Sequence, residues 1–516
     1  MVSLLLYRVV SSIRSSSREL WRKSIIIHRT FTSNKQEDKN KRLSPEEAGK
    51  LAYKTRIEYD NNNKNNNHII LSSSLDTILS HAGLSSSKSQ PELQNEPLCP
   101  PIHLETTYTR PSSGDYNNPQ EGGKGWVYTR MGNPTRMLLE DVLTHLEMMS
   151  NDSSNDKQKR RIDNSSVQII EDAVTCAFSS GMAAVSSIIL ALSKKKLHII
   201  LPDDIYHGVP TQLKDIFTQY GVTYSSVNMT DIQNIQNEID YYLYSCKDKK
   251  DNHDNILIWM ESPSNPLCKV IDIRHVCKWV QTYREKNNIN TKIVTIVDST
   301  WAPPCITQPV LLGADAVLHS GTKYLAGHSD VLLGSVTTSP YTTEGRILGN
   351  QIRTIQKSLG ATASPMDCWL TLRGLRTLHI RIERQCKNAM EIATFLSNHP
   401  HVKSVHYPGL KNHPQHSIAV SQMNSNMFGG MLSFEVLNEA MAMAVAGSVS
   451  TIKRATSLGG TETLIEHRAS IEPEDGRVSP PGLLRVSVGL EDVEDLKADL
   501  DIALRIGNDV INNRKN

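Results

Sequence analysis

The sequence predicts an α/β protein with a mixed, mostly parallel sheet, followed by a smaller C-terminal α+β domain. Short apolar strands alternate with helical segments between residues 181 and 338, which is typical of a parallel sheet covered by helices. From about residue 341 the pattern changes to one long helical stretch, followed by the strand-like segments "VKSVHYPG", "GGMLSFEV" and "LLRVSVGLED". This change indicates a second, smaller unit.

The elements of the first part follow in order along the chain. "GMAAVSSIILAL" is predicted as an apolar helix, "LHIILPDD" as a buried strand, and "QLKDIFTQYG" as a helix that ends at Gly221. "NILIWMESP" is a strand, "DIRHVCKWVQTYREKN" an amphipathic helix, and "KIVTIVDST", "ADAVLHS" and "VLLGSVTT" are further strands. Polar side chains follow three strand ends, where ligands collect in open α/β sheets: Asp203, Asp204, Glu261, Ser262 and Asp298.

The charge and cysteine content exclude several classes of protein. The 516 residues carry 56 Lys and Arg against 54 Asp and Glu, a formal net charge of +2, so neither a nucleic-acid footprint nor a polybasic membrane patch is predicted. No apolar run approaches the roughly 20 residues of a membrane-spanning helix. The eight cysteines are scattered without a CxxC pair, which is typical of reduced thiols and disfavours a disulfide framework or a zinc site.

The N-terminus differs from the rest of the chain. Six basic residues and many serines precede residue 30, against a single acid, Glu19. This composition predicts a transit peptide, most simply a mitochondrial one; a plastid address, or a cytoplasmic protein with a disordered tail, are the alternatives. The polar stretches "NNNKNNN", "SNDSSNDKQKRRIDNSS" and "SCKDKKDNHDN" are interpreted as insertions that cannot form a packed core.

Lys323 is the first candidate catalytic residue. It lies in "ADAVLHSGTKYLAGHSDVLLGS" (residues 314–335), between the apolar runs "AVL" and "VLL", both interpreted as buried strands. A lysine at the edge of a buried sheet is partly desolvated, so its pKa falls and it becomes a nucleophile. Such a lysine suits the aldehyde of pyridoxal phosphate, which also requires a carboxylate for its ring nitrogen and an anion site for its phosphate.

The chain offers candidates for each of these partners. Asp298 ends the strand "IVTIVD" 25 residues before the lysine, although a helix-capping role is the alternative. "SSGMAA" places backbone N–H groups at a helix N-terminus, where phosphate binds well, and Ser320 and Thr322 add hydroxyl donors. In "YTRMGNPTR", Arg130 suits bidentate contact with phosphate, unless the segment is a surface turn. Tyr206 either lies on an aromatic ring or is structural.

Taken together, six motifs resemble the Cys/Met-metabolism family of pyridoxal-phosphate enzymes: "HSGTKYLAGHSDVLLGS", "VDSTWAPP", "MESPSNP", "SSGMAA", "YTRMGNPT" and "SLGGTETL". The resemblance covers about residues 44–504, apart from the polar insertions. Members include cystathionine γ-synthase, cystathionine γ-lyase, cystathionine β-lyase and methionine γ-lyase. The resemblance implies the fold-type-I aminotransferase architecture and a homotetramer of paired dimers with shared active sites.

The resemblance and the strand and helix patterns together predict that the chain divides into four regions. Residues 1–43 are the leader, and residues 44–150 form an N-terminal arm and the start of the cofactor-binding domain. Residues 151–340 complete this large domain, and residues 341–516 form the small C-terminal domain.

The resemblance assigns roles at the cofactor. Lys323 would hold it covalently and later move protons, and Asp298 would keep the ring nitrogen protonated. Tyr206 would stack on the ring and assist proton transfer at the leaving group. The phosphate would be bound by six residues, the last two of which reach across from the neighbouring subunit: Gly181, Met182, Ser320, Thr322, Tyr128 and Arg130.

The resemblance also implies a substrate site. Arg485 in "LLRVSVGLED" would anchor the substrate carboxylate, with Asn265 and Ser457 close by. No metal is expected, so His319 and His328 are interpreted as packing residues.

Three positions depart from the family's pattern. Thr456 stands just before "SLGG", where γ-lyases and several γ-synthases often have an acid that helps to hold the distal amino group of cystathionine. The common Tyr-Gly-Gly becomes Tyr206-His207-Gly208, with no cysteine beside it, which disfavours methionine γ-lyase. "IEHRAS" replaces a proline-containing turn.

The reaction therefore stays open within the family. Thr456 favours γ-replacement, in which cysteine attacks an O-acyl- or O-phosphohomoserine, over γ- or β-elimination of cystathionine.

Two other classes of protein are alternatives to an enzyme of this family. Ser320 and Lys323 match the S-x-x-K pattern of serine acyl-enzymes, but the S-D-N and K-T-G partners are absent from the sequence. A non-catalytic scaffold is expected to lack Lys323, Asp298 or Arg485, and all three are present.

Overall fold

The computed structural model describes residues 98–109, 126–148, 172–245, 255–286, 291–472 and 479–513. The predicted leader, the "NNNKNNN" stretch and most of the other two polar insertions lie outside the described residues. Within the described part of the chain, no helix is long and apolar enough to cross a membrane, and the cysteines are free thiols.

Seven strands form the first sheet: β1 (Val174–Phe178), β2 (Leu197–Pro202), β3 (Thr223–Val227), β4 (Asn255–Glu261), β5 (Lys292–Asp298), β6 (Ala316–Ser320) and β7 (Gly334–Thr338). Their order across the sheet is β1-β7-β6-β5-β4-β2-β3. Strand β7 runs antiparallel to both of its neighbours, and the other pairs are parallel. The predicted α/β class with a mixed, mostly parallel sheet is confirmed.

The described residues form eleven α-helices: α1 (Pro134–Met148), α2 (Gly181–Leu192), α3 (Gly208–Asp215), α4 (Ile232–Ser245), α5 (Ile273–Lys286), α6 (Thr343–Leu359), α7 (Pro365–Leu375), α8 (Leu378–Ser397), α9 (His416–Gln422), α10 (Glu439–Ser448) and α11 (Val493–Asn513). Helix α2 has the bounds that the apolar segment "GMAAVSSIILAL" predicts.

The central strands are buried on both faces, which explains their unbroken apolar sequence. In β4, Leu257 and Trp259 belong to the apolar cluster that contains α2, whereas Ile256 and Ile258 belong to the cluster that contains α5. Alternate side chains of a strand point to opposite faces, so helices cover both sides of the sheet. Polar groups are left at the carboxyl edge, where these strands end.

Five strands form the second sheet: β8 (Ser404–His406), β9 (Met431–Glu435), β10 (Lys453–Arg454), β11 (Leu464–His467) and β12 (Leu483–Ser487). Their order is β10-β11-β12-β9-β8, with β10 and β11 parallel and the other pairs antiparallel. Helices α8, α10 and α11 share an apolar core with β9 and β12. The first sheet ends at Thr338 and the second begins at Ser404; the domain boundaries themselves stay predictions.

Two segments predicted as single helices are each divided in two. The first consists of α3 and a 3₁₀ turn at Phe217–Tyr220, and Gly221 ends it in the left-handed region at φ +81°. The long stretch after residue 369 contains the end of α7 and then α8. It breaks because Thr377 leaves the helical conformation, with φ −116° and ψ 5°.

The strand expected from "VLLGSVTT" is shorter than predicted, because β7 begins at Gly334. The hydroxyl of Thr322 accepts from the Leu333 N–H at 2.9 Å and donates to the Leu333 carbonyl at 3.2 Å, which holds residues 331–333 as a loop. Leu332, expected to be buried, is 60% exposed. The interpretation of "VLL" as a buried strand is therefore wrong.

Candidate active site

A cavity of about 490 Å³ lies at the carboxyl ends of β2, β4, β5 and β6, and residues of the second sheet close its other side. Parallel strands end at one edge of a sheet, so residues far apart in sequence meet there. Ten of the twelve predicted site residues line the cavity: Gly181, Met182, Tyr206, Asn265, Asp298, Ser320, Thr322, Lys323, Ser457 and Arg485.

Lys323 follows the end of β6 and is held from the second sheet's side. Its Nζ donates to the Ser457 hydroxyl at 2.7 Å. Burial, and then the positive charge of Arg485, lower the pKa of Lys323 to about 8, while Glu466 raises it. More of this amine is unprotonated at neutral pH than in an exposed lysine, so it is a better nucleophile.

Two carboxyl groups lie side by side at the sheet edge, because Glu261 and Asp298 are register partners at the ends of β4 and β5. Burial raises the pKa of Asp298, and the hydrogen bond from the Thr300 N–H at 3.0 Å lowers it. Burial, and then the charge of Asp298, raise the pKa of Glu261 well above its usual range. A cation beside Asp298 would favour its charged form.

The N-terminus of α2 faces the cavity. Ser180 caps the helix by accepting from the Ala183 N–H at 3.1 Å. A side chain at Gly181 would lie 3.2 Å from the Ser320 hydroxyl oxygen, so glycine keeps this corner open. The first N–H groups of a helix have no partner within it, and with the helix dipole they bind anions. The Thr322 hydroxyl, in contrast, is already bonded to the Leu333 backbone.

Tyr206 lies in the loop between β2 and α3 and is 38% exposed. Its N–H donates to the Glu261 carboxyl group at 3.0 Å. A Cβ at Gly208 would lie 2.4 Å from the tyrosine ring, so glycine is required for the ring to fold back over the start of α3. Glu261 and Gly208 therefore position Tyr206.

Arg485 projects from β12 and is 5% exposed. Its Nη1 donates to the Asn265 Oδ1 at 3.1 Å, and its Nη2 donates to the Ser457 carbonyl at 3.2 Å. Glu466, its register partner on β11, forms an ion pair with Nη2. Burial lowers the pKa of Arg485 to about 10, which leaves it charged at neutral pH.

Sequence reasoning missed Glu466 and Arg468 as cavity residues. Both lie in "IEHRAS", which had been noted only as a departure from the family's pattern. The Arg468 Nη2 donates to the Nδ1 of His207, another departure, at 2.9 Å. The antiparallel alternation of β11 and β12 is the signal that could have placed Glu466 opposite Arg485.

Tyr128 and Arg130 do not line the cavity of their own chain. Tyr128 is 43% exposed, and the Arg130 guanidinium lies 5.7 Å from its ring centroid. Arg130 also donates to the Lys357 carbonyl at 2.6 Å. The prediction that these two residues serve a neighbouring subunit stays a prediction.

The two histidines near Lys323 have separate surroundings. His319 is buried, and its Nε2 lies 2.6 Å from the buried Glu147 carboxylate. His319 therefore has a buried polar partner in addition to its packing contacts. The His328 Nδ1 bonds to the Ala326 carbonyl at 2.7 Å. Among the described residues, no group of His, Cys, Asp and Glu could hold a metal ion.

These residues fit pyridoxal phosphate. The cavity combines an amine of lowered pKa at Lys323, a buried carboxyl at Asp298 for a protonated ring nitrogen, and a glycine-lined helix N-terminus for the phosphate. Tyr206 also lines the cavity and offers an aromatic ring that could stack on the cofactor. The donor set therefore matches the three requirements of this cofactor.

Comparison with known proteins gives the same family. The model of the family "Cys/Met metabolism PLP-dependent enzyme" matches residues 158–505. The chain is 35% identical to a cystathionine β-lyase of Coxiella burnetii, covering 86% of this chain and 99% of the relative. It is 32% identical to a cystathionine γ-lyase of Bacillus subtilis, covering 83% and 98%.

A solved structure agrees with the sequence comparisons. The cystathionine γ-synthase of Xanthomonas oryzae pv. oryzae in complex with cystathionine matches with a TM-score of 0.69 and 31% identity, covering 84% of this chain and 99% of that one. These relatives differ in reaction but share the trans-sulfuration chemistry of sulfur amino acids. The chain belongs to the Cys/Met-metabolism family of PLP-dependent enzymes, and its cofactor is pyridoxal 5'-phosphate.

Proposed function

We propose that the protein is a cystathionine γ-synthase, which joins cysteine to an O-acyl- or O-phosphohomoserine by γ-replacement. The observation that carries this proposal is Thr456, which lines the cavity where an acid would hold the distal ammonium group of cystathionine. A lyase must hold cystathionine as its substrate, whereas a synthase must release it.

The charges around the cavity support this choice. Of the three carboxyl groups that line it, Glu261 has a strongly raised pKa and bonds to Tyr206. Asp298 faces the ring nitrogen in the proposed arrangement, and Glu466 forms an ion pair with Arg485. No carboxylate among the described lining residues is left to retain the distal ammonium group of cystathionine, which a synthase must release as its product.

The chain's own residues have distinct tasks in this proposal. Bound pyridoxal phosphate supplies a ring that withdraws electrons from the substrate's α-carbon. Lys323 Nζ, held by the Ser457 hydroxyl, removes and returns protons at the α- and β-carbons. Arg485 and Asn265 bind the substrate carboxylate. Tyr206, placed by Glu261, assists proton transfer at the leaving group.

Cystathionine β-lyase is the second candidate, because the 35% identity to the Coxiella burnetii enzyme is equalled by cystathionine γ-synthases and does not separate the two reactions. A product assay on the purified protein from about residue 44 onward distinguishes the two. Cystathionine formed from cysteine and O-succinyl-, O-acetyl- or O-phosphohomoserine supports the γ-synthase and identifies the ester. Release of pyruvate from cystathionine, without synthesis, indicates the β-lyase, and release of 2-oxobutanoate a γ-lyase.

The proposal includes an assembly and a location. A homotetramer of dimers with shared sites would give the exposed Tyr128 and Arg130 a phosphate to bind in the neighbouring subunit. The basic, acid-poor leader supports import into mitochondria. Light scattering of the purified protein tests the assembly, and imaging of a reporter fused to residues 1–43 tests the location.

A further inference from the structure

One carboxylate oxygen in the cavity lies between two guanidinium groups. The Glu466 Oε2 forms the ion pair with Arg485 Nη2, and the same oxygen lies 3.5 Å from Arg468 Nη1. All three side chains are at most 5% exposed and line the cavity. The Glu466 carboxylate can therefore pair with either arginine while it stays buried in the cavity wall.

Arg468 is held in place from both sides. Its Nη2 donates to His207 Nδ1 at 2.9 Å, and its Nε lies 3.6 Å from Glu472 Oε1. A guanidinium cannot accept a hydrogen bond, so His207 Nδ1 is the unprotonated nitrogen of that ring. Burial and the charge of Arg468 lower the pKa of His207, which keeps it an acceptor. Glu472 in turn accepts from the Ser479 N–H at 3.0 Å.

This arrangement answers a difficulty in substrate binding. Arg485, the anchor assigned to the substrate carboxylate, is already paired with Glu466. An incoming carboxylate would displace Glu466, and an unpaired buried charge is strongly unfavourable. Arg468 is the one cation besides Arg485 within 4 Å of Glu466 in the described ion pairs.

We propose that Glu466 is an exchangeable counter-ion, which neutralises Arg485 in the free site and passes to Arg468 when a substrate carboxylate binds Arg485. This inference rests on the proposed function only in taking Arg485 as the carboxylate anchor, and it holds for a synthase or a lyase alike. His207 and Arg468, the two departures that contact each other, are then positioning residues for the exchange.

Arg468 as the binding site of a second, distal carboxylate is the competing explanation. Arg468 already has Glu466 and Glu472 within 3.6 Å, so a further anion would meet two negative charges at the same guanidinium. The counter-ion exchange needs no extra charge on the ligand, because Glu466 only moves from one cation to the other.

The test uses the holoenzyme and L-norleucine, an amino acid with one carboxylate and no leaving group on its γ-carbon. Its Kd is read from the absorbance of the bound cofactor for wild type, Glu466→Gln, Arg468→Met and the double variant. Arg468→Met is expected to weaken binding about tenfold, because Glu466 loses its second partner. Glu466→Gln is expected to tighten binding, because the carboxylate no longer competes with an internal one.

The double variant decides between the explanations. Once Glu466 is neutral there is nothing to exchange, so Arg468→Met is expected to have no further effect in that background. An equal weakening in both backgrounds, or weaker binding in Glu466→Gln, overturns the proposal. A loss confined to L-2-aminoadipate, which adds a distal carboxylate, overturns it in favour of a distal anion site.

Two controls keep the outcomes separate. Glu466→Gln leaves Arg468 with His207 and Glu472 as partners, so this single variant tests the sign of the effect even if Arg468→Met does not fold. Arg485→Met is expected to lose norleucine binding. Retained binding there means that the assigned anchor is wrong, a failure of the proposed function that is distinct from a failure of the exchange.

Discussion

The charge on Lys323 depends on two neighbours that act in opposite directions. Arg485 disfavours the ammonium form and Glu466 favours it, in addition to the lowering of the pKa by burial. With a pKa of about 8, roughly a tenth of the amine is unprotonated at pH 7 and roughly nine tenths at pH 9. The reactivity of the lysine should therefore change most across this window.

The rate at which the cofactor-free protein captures pyridoxal phosphate is expected to rise about tenfold from pH 7 to pH 9, because only the free amine reacts. Arg485→Met removes a positive charge, so the pKa of Lys323 rises and the midpoint moves to higher pH. Stopped-flow absorbance measures both profiles. Lys323→Ala, the control, should yield no product that borohydride can trap. An unchanged midpoint in Arg485→Met would contradict this explanation.

The two neighbouring carboxyl groups should respond differently to neutral replacement. Burial and the charge of Asp298 raise the pKa of Glu261 and so favour its neutral form, and Glu261→Gln should leave cofactor affinity within about threefold of wild type. Asp298→Asn removes the charge that faces the ring nitrogen and should weaken affinity at least about tenfold. Titration of the cofactor-free variants, followed by absorbance, measures both values. Equal losses would mean that Glu261 is charged in the holoenzyme.

The roles of single residues were predictable from sequence only where the chemistry demands a residue type. Lys323 and Asp298 were identified because each follows a predicted buried strand, where a charged side chain is unusual unless it takes part in binding or catalysis. Arg468 was not, since its contact with His207 joins residues 261 positions apart in the sequence. No local pattern carries that information.

At the scale of elements, the N-terminus of α2 is set by its packing against β7. A Cβ at Gly334, the first residue of β7, would lie 2.3 Å from the Ser180 carbonyl oxygen and 2.8 Å from the Gly181 Cα. Because Gly334 has no side chain, the first turn of α2, which would face the phosphate, can lie directly against β7.

Gly334→Ala is expected to push the start of α2 away from Ser320, at a cost of about 1–3 kcal/mol in packing. Cofactor affinity should fall roughly tenfold, measured by titration of the cofactor-free protein. Gly447→Ala in α10 is the matched control, because nothing lies within 4 Å of the added methyl group. Unchanged affinity in Gly334→Ala would show that the turn does not depend on this contact.

Helices and strands were easiest to predict from sequence where one or both of their faces are completely buried. Strands β4 and β5 appear as continuous apolar runs because helices cover both sides, and the sequence prediction for them holds. Residues 331–333 look equally apolar, but Thr322 bonds to Leu333 and keeps them out of the sheet. An apolar run can form either a buried strand or a loop beside the cavity. Here only the contact between Thr322 and Leu333, made by tertiary structure, shows which of the two it is.

At the scale of the whole molecule, the proposed sharing of sites between subunits can be tested by complementation. Arg130→Ala and Lys323→Ala are each expected to be inactive, because one lacks the residue that reaches the neighbour's phosphate and the other lacks the amine. Subunits mixed under conditions of exchange should regain up to about a quarter of the activity per site, since a wild-type site re-forms at some interfaces. Mixtures that stay inactive would place Arg130 outside the partner's site.

The cavity takes its cofactor-facing groups from residues 180–323, whereas Arg485, the assigned carboxylate anchor, and Ser457 come from the later residues 457–485. During synthesis, the lysine and the phosphate turn leave the ribosome more than a hundred residues before Arg485 does. A growing chain that has completed only the first sheet has neither the Ser457 hydroxyl that holds this amine nor the burial and the Arg485 charge that lower its pKa. The lysine therefore gains its lowered pKa only after residues of both sheets have come together around it.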